Sequence, residues 1–103
     1  MKRVFICSRY AGDVEANVRL AESLCRRAVE RGCAPIAPHL LFTRFMNDDA
    51  PEERNAGIEC GLAFMEVCDE VWTFTGDGVS DGMRREIAHA RSIGKPVIEV
   101  TEV

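Results

Sequence analysis

The sequence has one tryptophan, one tyrosine, four prolines and two histidines, and its longest unbroken apolar runs, at residues 4–7 and 62–65, are four residues each. Runs that short exclude a spanning helix, which needs about 20 apolar residues. The N-terminal MKRVFICS starts basic but lacks a long apolar stretch and a small-residue cleavage site, so it does not read as a secretion signal. Positive charge is not in excess: 13 Lys and Arg stand against 17 Asp and Glu, a formal net charge of −4. A polymeric nucleic acid is therefore not the expected partner, since binding one usually takes a basic face. The five cysteines, at 7, 25, 33, 60 and 68, are odd in number and contain no CxxC pair. No disulfide framework or zinc pattern follows, and no metal is expected. Reduced thiols acting as small hydrophobes in the cytoplasm are the expectation. Cys7, at the end of a strand, is the one candidate for a reactive thiol. What remains is ordinary: 103 residues, 47% hydrophobic and 29% charged, with no repeats and no linker. That length makes one domain over residues 1–103, burying about two-thirds of the surface its unfolded chain would expose.

Strand and helix patterns alternate along the chain. Residues 3–7 read as a first strand, and SRYAGD at 8–13 as a turn. Residues 14–31 carry Val14, Val18, Ala21, Leu24, Cys25 and Ala28 at helical spacing. Asp13 is the expected N-cap and Gly32 the expected stop. Residues 34–37 form a short second strand, interrupted and followed by prolines, which suits a sheet edge. Residues 38–50 read as a long loop. Pro51 opens a second long helix with Ile58, Leu62 and Met65 on its buried stripe. Residues 70–74 are strand three, 75–81 a glycine-rich loop, 82–93 a helix burying Met83, Ile87 and Ala90, and 97–100 strand four. Such alternation predicts an α/β fold: a small Rossmann- or flavodoxin-like three-layer domain on a four-stranded parallel sheet, order 2-1-3-4.

That order puts a topological switch between strands one and three, where ligands of open parallel sheets bind. The loops there, SRYAGD and TGDGVSDGM, both run into helix N-termini, which favour an anion. Ser8, Ser80, Gly76, Gly78 and Gly82 offer hydroxyls and close backbone approach, and Arg9 offers charge. Neither GxGxxG nor GxxxxGK[ST] is present, and glycine and serine serve equally as turn residues. Glu86, about one turn into the last helix, can lean back over the crevice or stand in water between Arg84, Arg85 and their neighbours. His39 can meet a ligand or cap the loop after Pro38. Arg54 and the acidic residues around it read as a solvated helix start.

The segments SDGMRREIAHA and ICSRYAGD resemble the nucleoside 2-deoxyribosyltransferase superfamily, which includes deoxynucleoside 5′-monophosphate N-glycosidases. The closer similarity is to small phage- and prophage-associated members, which share a Pro-His-Leu after strand two and Ser-x-Gly-Met-x-x-Glu before a helical Ile-x-x-Ala. The resemblance implies that Glu86 is the nucleophile at C1′ of a deoxyribose, with no cofactor. It implies a phosphate at Ser80, because the N-glycosidases carry a serine there and the nucleoside transferases an aspartate. Ser8, Arg9 and the backbone near Gly82 would assist. Tyr10, Gly12, His39, Asp77 and Met83 complete the expected ligand contacts, His39 near the base. A small nucleotide or nucleoside is the implied partner, and a homodimer or larger homo-oligomer the implied assembly, in which Arg54 could reach a neighbour's pocket.

Two positions depart from the family pattern. Phe5 stands where a tyrosine usually orients the glutamate, and Tyr10 could substitute for it. Gly61 stands where an aspartate is usual, so help to the leaving group would fall to Asp77, Asp81 or another group. The sequence therefore carries two main readings, an enzyme acting on the N-glycosidic bond of a nucleotide and a non-catalytic nucleotide-binding module. A purely structural protein would leave both switch-point loops unexplained.

Overall fold

Alternation along each central strand sends successive side chains to opposite faces, and this decides how the layers pack. In the computed structural model, which describes residues 1–101, strand β1 (Lys2–Cys7) lies at the middle of the sheet. Val4 and Ile6 point to one face and meet Leu24 and Ala28 of helix α1 (Val14–Glu30). Phe5 and Cys7 point to the other and meet Met65 of α3 (Pro51–Met65), and Met83 and Ala90 of α4 (Asp81–Ser92). The remaining strands are β2 (Cys33–Ile36), β3 (Glu70–Thr73) and β4 (Val97–Glu99). All pairs are parallel, and the order among the described residues is β2-β1-β3-β4. The three-layer α/β fold and its strand order are as the sequence predicts. No described helix is long and apolar enough to cross a membrane.

Local signals set most boundaries to within a residue. Asp13 caps α1, its carboxylate accepting from the Ala16 N–H at 3.2 Å. Gly32 ends that helix with φ of +78°, which a side chain would strain. Pro51 opens α3, and Ser80 rather than Asp81 precedes α4. One expectation fails: residues 38–50 are not simply a loop. Pro38 starts a single helical turn, α2 (Pro38–Leu41), followed by a 3₁₀ turn at Phe42–Arg44. These turns are too short to show a period in the sequence, and they form because Pro38 fixes the first helical φ. Val14 is exposed, contrary to its place in the apolar pattern, while Asn17 is buried. Its amide donates to the Tyr10 and Ala11 carbonyls at 3.0 and 3.1 Å, so it holds the loop after β1.

Gly61 has a packing reason. A Cβ there would stand 3.0 Å from both Cβ and Cγ of buried Pro38, so a side chain at this position would force α2 to give by a few tenths of an ångström. A carboxylate at 61 would also start from a buried backbone position beside Pro38 and Phe5, both apolar. Gly61→Asp should therefore lower stability by about 1–3 kcal/mol. Gly61→Ala should cost less, because alanine regains about 1 kcal/mol of helix propensity. Urea unfolding of the two variants checks this order, and equal stability of Gly61→Asp and the parent would refute it.

Candidate active site

Because β1 and β3 are the central pair, their carboxyl ends open side by side, and the loops that follow them form the walls of one crevice. The walls are tied across the opening by Arg9, whose Nη1 donates to the Asp77 carbonyl at 2.9 Å. Ser80 then caps α4: its backbone is extended and its Oγ accepts from the Met83 N–H at 3.2 Å. This cap fixes the helix start, and with it the place of Glu86.

Glu86 is 9% exposed. Burial pushes its carboxyl up to about 7, against the opposing pull of a hydrogen bond from the Cys7 thiol and of the Arg85 charge. At neutral pH it is poised between acid and carboxylate. Cys7, fully buried at the end of β1, has its thiol pushed far above the ordinary range by burial first and by the Glu86 charge second. It is a neutral donor rather than a reactive thiolate. The solvated glutamate is excluded.

A cleft runs past Glu86 in two lobes, with volumes of about 60 and about 80 Å³. The first is mainly apolar, with Pro38, Phe42, Met46 and Ile58 in its walls. The second is lined by Ser8, Tyr10, Ser80, Gly82 and Met83, at the N-terminus of α4. His39, Asp48, Arg54, Ile58 and Glu86 belong to both. The His39 Nε2 lies 3.1 Å from the Ser8 hydroxyl, and the Tyr10 ring is 5.7 Å from the imidazole. Burial brings His39 down to about 4, so the ring is neutral at physiological pH. Its Nδ1 is shut from solvent without a hydrogen-bond partner.

Seven residues singled out from the sequence thus line one cleft: Ser8, Tyr10, His39, Ser80, Gly82, Met83 and Glu86. Three are placed elsewhere. The Arg9 guanidinium is held by the Asp77 carbonyl, Asp77 is itself exposed, and Gly12 makes a turn at φ of +102°. Asp81 is also turned away, paired with Arg84 at 2.9 Å. Sequence reasoning missed Asp48 and Arg54 as members of the cleft; Arg54, half-exposed, lines it from α3 of its own chain. The signal was an arginine on the first turns of α3, which faces the cleft only once that helix has packed beside α4. Among the described residues, no group of three or more His, Cys, Asp or Glu could hold a metal.

Solved structures share this architecture. The 2-deoxyribosyltransferase of Bacillus psychrosaccharolyticus superposes with a TM-score of 0.70 at 20% identity, over 98% of this chain and 75% of that one. The CMP N-glycosidase of Clostridium botulinum gives 0.60 at 26% identity, over 95% and 67%. A 2-deoxyribosyltransferase of Leishmania mexicana gives 0.64 at 14% identity, over 96% and 63%, so the chain spans less than two-thirds of that protein. The fold is thus that of the nucleoside 2-deoxyribosyltransferases. Within it, the chain belongs to the family described as a domain of unknown function, DUF7768, which it matches over residues 2–100. No curated protein sequence matches it.

The raised carboxyl of Glu86 has a consequence for stability. Its folded value of about 7 lies above the ordinary 4.5, so its contribution is intact below 4.5 and is lost as pH rises through 7. Glu86→Gln does not titrate and should avoid that loss. Its melting temperature relative to the parent should climb between pH 4.5 and 7, reaching several degrees at pH 8. Scanning calorimetry of both proteins at matched pH checks this, since the opposite titration of His39 cancels in the difference. A difference that stays flat with pH would contradict the buried, proton-binding carboxyl.

Proposed function

We propose that the protein acts on the N-glycosidic bond of a nucleoside 5′-monophosphate, with Glu86 as nucleophile. The observation that carries the reading is the position of Glu86: a nine-tenths buried carboxyl between an apolar lobe and a hydroxyl-lined lobe at a helix N-terminus. The apolar lobe suits the flat face of a base, and the polar lobe suits a phosphate. A sugar bridging the two would bring its C1′ over the carboxylate. The fold shared with two deoxyribosyltransferases and a CMP N-glycosidase supports the same chemistry.

The ionised Glu86 attacks C1′ and the C1′–N bond breaks, its electron pair leaving with the base, which takes up a proton. Water then opens the glycosyl ester, or a second base does so, regenerating the carboxylate. Burial serves this step, since a desolvated carboxylate is a stronger nucleophile than a hydrated one. The Cys7 thiol keeps it oriented. Neutral His39, beside Ser8, is placed to meet a hydroxyl or a base edge without adding charge. The exposed rings of Phe45 and Phe64 flank Phe42 of the apolar lobe, and a homo-oligomer covering them belongs to the same proposal.

A second reading, a nucleotide-binding module without turnover, draws on Gly61 and Phe5. Neither supplies a polar group, and a side chain at Gly61 would press on Pro38. Chromatography of free base released from deoxy- and ribonucleoside 5′-monophosphates separates the two. The enzyme releases base, with an acid limb near pH 7 in its rate, and Glu86→Gln loses at least about a thousandfold, the scale on which removing a covalent nucleophile acts. A protein whose melting temperature rises with nucleotide but which releases no base is the binding module.

A further inference from the structure

The polar lobe contains an electrostatic arrangement that the fold does not need. The Arg54 guanidinium reaches from α3 to the first turn of α4, its Nη2 3.6 Å from where a Cβ on Gly82 would stand. The N-terminus of a helix carries partial positive charge, so a cation is the wrong neighbour for it. Among the described residues, the groups around Arg54 resolve the conflict only weakly. The carboxylate facing Arg54, Asp48, is 4.0 Å from its Nε, at the outer limit of an ion pair, and both side chains are half-exposed. The acid of α4's own first turn, Asp81, points out to Arg84. Arg9, the charge the sequence offered to this lobe, is spent on the Asp77 carbonyl. An anion between Arg54 and the helix end would satisfy both, and the Ser8 and Ser80 hydroxyls line the space where it would lie.

We propose that Arg54 is the residue that selects a phosphorylated substrate, its guanidinium and the first turn of α4 together clamping the 5′-phosphate. This rests on the nucleotide reading of the cleft and assigns its charge selectivity to one side chain. The fork of an arginine offers two parallel N–H donors to a phosphate and the α4 backbone offers others, so the dianion would be held from two sides. Binding would exchange the long contact to Asp48 for shorter ones to phosphate oxygens. A nucleoside, lacking the phosphate, would leave the positive pair unrelieved.

The test measures the melting temperature of the full chain, Arg54→Gln and Arg54→Lys with inorganic phosphate, ribose 5-phosphate and unphosphorylated ribose. It is combined with the ratio of kcat/KM for a nucleoside 5′-monophosphate over its nucleoside. Phosphate and ribose 5-phosphate should raise the melting temperature of the parent, and ribose should not. Arg54→Gln should weaken ribose 5-phosphate binding about tenfold or more, the scale of one lost charge-assisted contact. Arg54→Lys, keeping the charge without the fork, should fall between. The preference for monophosphate should shrink in the same order. If no phosphate compound shifts the parent, or if Arg54→Gln responds as the parent does, the assignment is overturned. If Arg54→Gln does not fold, a parent-like response of Arg54→Lys overturns it and a weakened one supports it. Should the parent release no base while the phosphate shift still depends on Arg54, catalysis falls and the clamp stands.

Discussion

A carboxyl group taken out of water must hold its proton or find donors, and Glu86 has been given little of either. The Cys7 thiol is a weak donor and Arg85 acts only through its charge, so burial prevails and the group sits near pH 7. The rest of the site follows from keeping that carboxyl in place. Cys7 ends β1 because the strand's alternation directs it toward α4, where its thiol also lies 3.9 Å from the Met83 carbonyl. The Ser80 cap fixes the start of α4 and so the turn on which Glu86 stands. The ionised form is disfavoured at this one position, a cost that the surrounding packing carries.

Around this point the cleft is held by short polar ties rather than by bulk. Asn17 fixes the loop after β1, Arg9 joins that loop to the one after β3, and the hydroxyl of Ser8 sits against His39. The first tie is local, but the other two join segments 68 and 31 positions apart in the chain, so the crevice exists only when the sheet has formed. The apolar lobe depends in turn on α2, a single turn brought close to α3 by the missing side chain at Gly61. That contact gives Gly61 a packing role of its own, since a side chain there would press on Pro38. Asp48, Glu53 and Arg54 supply the charged groups on that wall, the first from the loop before α3 and the other two from its first turns.

The architecture was largely written in the chain. Hydrophobic period, Asp13 as a cap, and Gly32 and Pro51 as punctuation are local signals, and local free energies of this kind need no partner to be read. From alternating elements the parallel sheet and its order followed, and from the order the edge at which ligands meet it. Glu86, Ser80 and Ser8 could be picked out because a motif and a helix start are contiguous in sequence.

The rest was decided by which faces meet. Whether Glu86 stood in water or under cover turned on how α4 packs against the sheet face that carries Cys7, 79 positions earlier in the chain. That Arg9 is occupied and Arg54 faces the lobe depends on a backbone carbonyl on one loop and on the packing of α3 beside α4. Such contacts carry no period or spacing, since the residues involved belong to different elements and are joined only by tertiary packing. The sequence alone determined the sheet, its switch point and the carboxyl at its edge. Tertiary structure decided that carboxyl's burial, and with it the proton affinity of Glu86, because desolvation is a property of the surroundings and not of the residue.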